Sequence, residues 1–253
     1  MRVTTIAAGL LGLALSTGCT SNAQEWDITQ TGQPYQEVEL SLTEGTWISV
    51  AVSPVGDTIV FDVLGDIYSM PATGGAAELV HGGPAIQHSP VFSPDGARIA
   101  YISDVDGSDN IWTSDPDGSN PVQVSSESTL ALVDPSWSAD GRTIVAARMF
   151  DTANRLHSSE LVTYPASGGD AEQIVPMPEN GENVHDAVYS PDGQFLYFVE
   201  KMTPPHASTV YVDANHKNFA IRRKSLETGE IKTVVGGFGG AMTPSMSPDG
   251  SKM

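Results

Sequence analysis

The sequence is poor in basic residues and almost free of cysteine. Its 253 residues hold 12 Lys and Arg against 31 Asp and Glu, a formal net charge of −19. So few cations argue against a nucleic-acid binder, because phosphate contacts need clustered Lys and Arg. The same deficit argues against electrostatic docking on an anionic membrane face. A single cysteine, Cys19, excludes an intrachain disulfide framework and any multi-cysteine zinc or iron–sulfur centre. There is no Gly-x-Ser-x-Gly nucleophile elbow and no Gly-x-x-x-x-Gly-Lys phosphate loop. What is present is a 40% apolar content, enough for a folded core, with 25 Gly and 17 Pro. That many turn formers suit an all-β chain.

The N-terminus reads as an address. Arg2 precedes the short apolar run Ile6–Leu15, which falls short of the about 20 residues of a spanning helix. Residues 1–23 are therefore predicted to be a secretory signal peptide. Two cleavage signals overlap in it. Ser21-Asn22-Ala23 is a small-x-small site for ordinary signal peptidase, and Ser16-Thr17-Gly18-Cys19 is similar to a bacterial lipobox, in which Cys19 would be lipidated. Leu15 stands one place earlier than the usual lipobox leucine. In either case nothing beyond Cys19 carries a thiol, which suits an oxidising compartment. Residues 24–36 are polar and aperiodic and read as a tether.

The remainder, 37–253, is an internal repeat. One tetrapeptide recurs as Ser53-Pro-Val-Gly56, Ser93-Pro-Asp-Gly96, Ser138-Ala-Asp-Gly141, Ser190-Pro-Asp-Gly193 and Ser247-Pro-Asp-Gly250. The serines stand 40, 45, 52 and 57 residues apart. Six residues after each of the first four come Ile59, Ile99, Ile144 and Leu196, and eight after come Phe61, Tyr101, Ala146 and Phe198. This period of two marks a strand. Further strands are predicted at Asp66–Tyr68, Asn110–Trp112, Glu160–Val162 and Phe219–Ile221, then, after a glycine turn, at Glu78–Val80, Val122–Val124, Glu172–Val175 and Ile231–Val234. In the turn, Pro presets φ, Asp bonds local N–H groups and Gly accepts positive φ. Four short strands repeating every 40 to 57 residues are the pattern of β-propeller blades. Val38, Leu40 and Leu42 alternate in the phase of a fourth strand, which would complete a last blade. The chain holds four full units and the start of a fifth, so it is expected to be part of a longer protein.

Chemistry-bearing patterns are sparse. The histidines, His81, His88, His157, His185, His206 and His216, show no His-x-His or His-x-x-x-His spacing and are read mostly as loop residues. No catalytic, metal or cofactor residue is assigned; Cys19 is the one modification candidate. Asp104-Val-Asp-Gly-Ser-Asp109 brings three carboxylates together, but without calcium-loop spacing, and is read as a hairpin turn. Trp47, Trp112 and Trp137 fall on predicted strands as core residues, while Trp26 lies in the tether. Two insertions, Met149–Ser158 and Glu200–His216, are expected to lengthen the loops between second and third strands of the third and fourth units, on one face of the disc.

The Ser-Pro-Asp-Gly turn, the Asp/Asn-Ile-aromatic strand and the Gly-Gly turn resemble the WD40-like (PD40) repeats of TolB-type propellers, over residues 37–253. That resemblance implies six or seven blades when the ring is complete. Leu42–Val50, Ile59–Tyr68 and Gly229–Gly250 look like the N-terminal propeller of exported amidohydrolase-superfamily proteins, which precedes a metal-dependent hydrolase acting on C–N bonds. This resemblance implies a non-catalytic scaffold, interaction or substrate-access module. A divalent metal is expected only in a C-terminal hydrolase domain, and none within this chain. The implied partners are that domain and envelope proteins, with membrane contact only through Cys19. The implied location is the periplasm or outer membrane of a Gram-negative bacterium. Two alternatives stand: a TolB-like envelope scaffold without activity, and the propeller of a prolyl-oligopeptidase-like serine peptidase.

Overall fold

A computed structural model describes residues 41, 44–46, 48–128, 131–152, 155–179, 183–202, 219–237 and 240–253. The predicted signal peptide with Cys19, the expected tether, Val38, Leu40 and Leu42 of the expected strand, and Trp47 lie outside them, as do His206 and His216.

Among the described residues, sixteen strands form four separate antiparallel sheets of four, each a consecutive meander. The first sheet is β1 (Val50–Val52), β2 (Thr58–Val63), β3 (Asp66–Pro71) and β4 (Glu78–His81). The second is β5 (Gln87–Phe92), β6 (Ile99–Ser103), β7 (Asn110–Ser114) and β8 (Val122–Gln123). The third is β9 (Ala131–Trp137), β10 (Thr143–Thr152), β11 (Arg155–Pro165) and β12 (Glu172–Val175). The fourth is β13 (Val184–Tyr189), β14 (Phe195–Lys201), β15 (Phe219–Ser225) and β16 (Ile231–Val235). The described residues contain no helix. First strands pack on the first strands of neighbouring sheets, β1 on β5, β5 on β9 and β9 on β13, so they are the inner strands. The last strands lie outside, with β16 wholly exposed. These are the blades of a β-propeller.

The period-2 residues form the interfaces between blades. Ile99 and Tyr101 pack on Val60 and Ile67 of the first sheet. Ile144 and Ala146 pack on Ala100, Ile102 and Ile111 of the second. Leu196 and Phe198 pack on Val145, Ala147 and Leu161 of the third. Ile99, Ile144 and Leu196 are fully buried, each worth about 1.5–3 kcal/mol relative to exposure. Their counterparts in the first sheet, Ile59 and Phe61, are only half-buried, and Val50 and Val52 beside them are exposed.

The recurring turn is one hydrogen-bonded device. The serine N–H donates to the carbonyl five residues on, at 2.8 Å for Ser93 and 2.9 Å for Ser138, Ser190 and Ser247. Its hydroxyl donates to the aspartate two residues on, at 2.6 Å for Asp95, 2.7 Å for Asp140 and 2.6 Å for Asp249. The same hydroxyl oxygen accepts the N–H five residues on, as from Arg98 at 2.9 Å. In the first unit valine replaces the aspartate, and the Ser53 hydroxyl donates instead to Asp57 at 2.7 Å. The fifth unit forms its turn too, Gly250 N–H donating to the Ser247 carbonyl at 2.8 Å.

Two sequence expectations are corrected. Met149–Ser158 does not form a long loop. β10 and β11 stay paired out to Thr152 and Arg155, so the insertion extends a hairpin. Pairing satisfies the backbone groups that a loop would leave to water. Of the second insertion, Glu200 and Lys201 likewise continue β14, and 203–218 lie outside the described residues. Nor are the histidines mainly loop residues: His81, His88, His157 and His185 sit on β4, β5, β11 and β13.

Candidate functional site

Three of the inner strands, β5, β9 and β13, carry a bulge. The register slips between His88 and Val91, between Val133 and Ser136, and between His185 and Val188. At each slip one residue takes a left-handed conformation: Ser89 (φ 54°), Asp134 (φ 56°) and Asp186 (φ 50°). Thr243 (φ 53°) holds the same place, four residues before the fifth turn serine. Asp and Asn visit this region at lower cost than most residues, because the short side chain can bond nearby backbone.

The bulges expose backbone N–H groups, and carboxylates from preceding sheets receive them. Asp62 on β2 accepts the N–H of Ser49 at 2.9 Å and that of Ser89 at 2.7 Å. The Asp134 carboxylate stands beside that of Asp186. Asp186 in turn accepts the N–H and the hydroxyl of Thr243, both at 3.2 Å. A line of carboxylate-to-backbone ties thus crosses from the first sheet to the second and reaches from the fourth to Thr243.

At the junction of the third and fourth sheets the line becomes a cluster. Donor atoms of Asp134, His185 and Asp186 all lie within 4.8 Å of one another, and all three residues are half-buried. His185 Nδ1 is 3.4 Å from Asp186 Oδ2, and the His185 ring meets Phe219 edge-on at 5.8 Å between centroids. Burial, then the neighbouring Asp186 charge, pushes the Asp134 carboxyl up to about 6. Burial pushes Asp186 the same way, but the hydrogen bond and charge of His185 and the bond from Thr243 outweigh it and hold that carboxyl below the usual range. One carboxylate of the pair therefore tends to keep a proton while the other stays ionised. A cavity of about 190 Å³ adjoins the cluster, with Asp134, His185, Ser159 and Asn183 among its lining residues. These three donors are of the type that holds a divalent metal.

Sequence reasoning assigned no role to these residues. The signal that marks them is a short polar residue four places before the turn serine, followed by proline in Ser89-Pro90, Asp134-Pro135 and Thr243-Pro244 and by alanine in Asp186-Ala187.

Elsewhere the carboxylates are used structurally. Asp104 accepts the N–H of Ile86 at 2.7 Å, and Asp106 accepts the Asn110 amide at 3.0 Å, as a hairpin turn requires. Arg148 donates to Glu160 at 2.6 Å and to Glu127 at 2.9 Å, and the Tyr164 hydroxyl adds a bond to Glu127 at 2.7 Å. An open cleft of about 660 Å³ runs between the third and fourth sheets at the turn side, lined by Asp140, Tyr189 and Lys224. Lys224 Nζ is already engaged on the Ile174 carbonyl.

Four-stranded meanders packed inner strand against inner strand define the class as a β-propeller. More narrowly, residues 49–246 match the model of the Tricorn protease N-terminal β-propeller domain, and the chain belongs to that family. Tricorn protease homolog 1 of Streptomyces coelicolor is 24% identical over 182 residues, covering 71% of this chain and 17% of that protein. The uncharacterized peptidase YuxL of Bacillus subtilis is 26% identical over 113 residues, 42% of this chain and 16% of its own length. The chain thus spans less than a fifth of either relative. Among solved structures, a TolB-type protein of Agrobacterium tumefaciens superposes with a TM-score of 0.61 at 23% identity, over 80% of this chain and 70% of that one.

Proposed function

We propose that this chain is the non-catalytic propeller of an exported bacterial hydrolase that cleaves amide C–N bonds, serving as scaffold and as a controlled way in to a catalytic domain elsewhere in the protein. The observation that carries the reading is the match of 49–246 to the propeller domain of a protease, with relatives named as a protease and a peptidase in which the matched stretch is a small part of a longer chain. The inner strands suit an access role, since the first strands of successive sheets lie side by side.

The sequence resemblance favours a metal-dependent amidohydrolase as the host, with its metal in a C-terminal domain. The named relatives favour a second host, a peptidase. Likeness to TolB structures supports a place in the envelope, reached through residues 1–23 and held there by lipid if Cys19 is modified. The test is to purify the protein from its natural gene and assay a panel of peptide and N-acyl amino acid amides. Hydrolysis abolished by a chelator identifies the amidohydrolase host. Hydrolysis resistant to chelator, with fluorophosphonate labelling, identifies a serine peptidase. A protein that hydrolyses no amide overturns the reading in favour of a binding propeller. Radiolabelled palmitate incorporation lost in Cys19→Ala tests the anchor separately.

A further inference from the structure

We propose that Asp134, His185 and Asp186 bind a first-row divalent metal ion of the zinc or manganese type at the junction of the third and fourth blades. The proposal stands independently of the hydrolase reading, and concerns a different metal from any in a catalytic domain.

Three features converge. The donor set is two carboxylates and one imidazole within 4.8 Å of one another. A pure oxygen set would suit calcium or magnesium, whereas an imidazole among carboxylates suits zinc, manganese or iron(II). Second, the donors are held before any ion arrives. Asp134 and Asp186 sit on bulges in left-handed conformations. Asp186 is further fixed by the N–H and hydroxyl of Thr243, at 3.2 Å each, the kind of outer contact that orients a ligand. Third, the donors have space beside them. The cavity of about 190 Å³ has Asp134 and His185 in its wall, with Ser159, Asn183 and the apolar Val133 and Met149 beside them.

The repeat supplies an internal control. His88 and Ser89 occupy in the second sheet the places that His185 and Asp186 occupy in the fourth. There the His88 Nδ1 pairs with the Ser89 hydroxyl at 3.0 Å, and the residue in the place of Asp134 is Ser49. The same backbone is present there with serines in place of the two aspartates, and the one carboxylate beside them, Asp62, is taken up by the N–H groups of Ser49 and Ser89. Metal binding is therefore expected at the junction of the third and fourth sheets and not at that of the first and second. Bound there, the ion ties β9 to β13 and, through Asp186, to the strap at Thr243.

The experiment is calorimetric titration of the full chain, untagged and stripped with EDTA, with Zn²⁺ and with Mn²⁺ at pH 7.5. One equivalent is expected to bind saturably and to raise Tm. Asp134→Asn and His185→Gln are each expected to weaken binding about tenfold or more, and His88→Gln to leave it unchanged. Circular dichroism establishes that each variant is folded. Co²⁺ loading gives a second readout: visible d–d bands are expected in the wild type and in His88→Gln, altered or lost in His185→Gln. No saturable binding overturns the proposal. So does binding that survives both Asp134→Asn and His185→Gln, or Ca²⁺ binding as tight as Zn²⁺ and indifferent to His185→Gln, which would mark an oxygen-only site.

Discussion

Asp62 in the first sheet accepts the main-chain N–H of Ser89 in the second at 2.7 Å. Its other oxygen accepts the N–H of Ser49 at 2.9 Å, and the residue is 5% exposed. A buried carboxylate that meets two N–H donors cannot be removed without leaving both unpaired. Asp62→Ala is expected to cost about 2–4 kcal/mol, and Asp62→Asn, which retains one acceptor oxygen, clearly less. Urea unfolding of the two variants checks the order. Equal losses would show that the two N–H bonds contribute little.

Gly118 brings the second blade close against the backbone of the first. A Cβ there would lie 2.3 Å from the Val80 carbonyl oxygen, at a φ of +86°. Gly74 has a similar φ of +92° but open space around it. Both alanine variants meet the left-handed penalty of about 1 kcal/mol, and only Gly118→Ala adds a clash with backbone, worth about 1–3 kcal/mol more. A difference in Tm of several degrees between the two is the expected reading.

The Arg148 guanidinium sits between Glu127 and Glu160, whose side chains are 18% and 8% exposed. Arg148→Met would leave two poorly solvated carboxylates facing each other. The expected loss is about 3 kcal/mol, with partial recovery in the double variant Arg148→Met/Glu160→Gln. A double-mutant cycle in chemical denaturation measures it.

The turn aspartates titrate low. The Ser247 hydroxyl and the neighbouring Ser251 N–H hold the Asp249 carboxyl down at about 2. Asp95, Asp140 and Asp192 are lowered by the same pair of bonds, from Ser93 and Ala97, Ser138 and Arg142, and Ser190 and Gln194. A carboxyl lowered in the folded state favours folding above its unfolded value near 4, and that contribution fades as pH falls from there toward 2. Carboxyl NMR titration is expected to place Asp249 near 2 and to move it up in Ser247→Ala. An unmoved midpoint in that variant would assign the shift to another cause.

The fold was legible in the primary structure because the turn announces itself. Ser93-Pro-Asp-Gly96 and its copies are read by local chemistry alone, and the residues at six and eight places beyond follow from strand alternation. The paired extension of β10 and β11 was not legible. A stretch such as Met149–Ser158 carries polar and apolar residues that suit a loop or a hairpin equally, and only cross-strand pairing distinguishes them. The Asp134, His185 and Asp186 cluster was hidden for a different reason. Its members are 51 residues apart along the chain, and what brings them together is the packing of one inner strand on the next. A bulge also turns the aspartate off the strand's alternating pattern, so its side chain breaks the period that would have located it.

The ties between blades use side-chain acceptors on one side and main-chain N–H donors on the other, as with Asp62 and Ser89 or Asp186 and Thr243. Every non-proline residue brings that donor, whatever its side chain. A blade joined in this way brings the bulge, and its predecessor brings the carboxylate. Units as unlike in sequence as the second and fourth can stand in the same ring, and a duplicated unit would arrive already able to join.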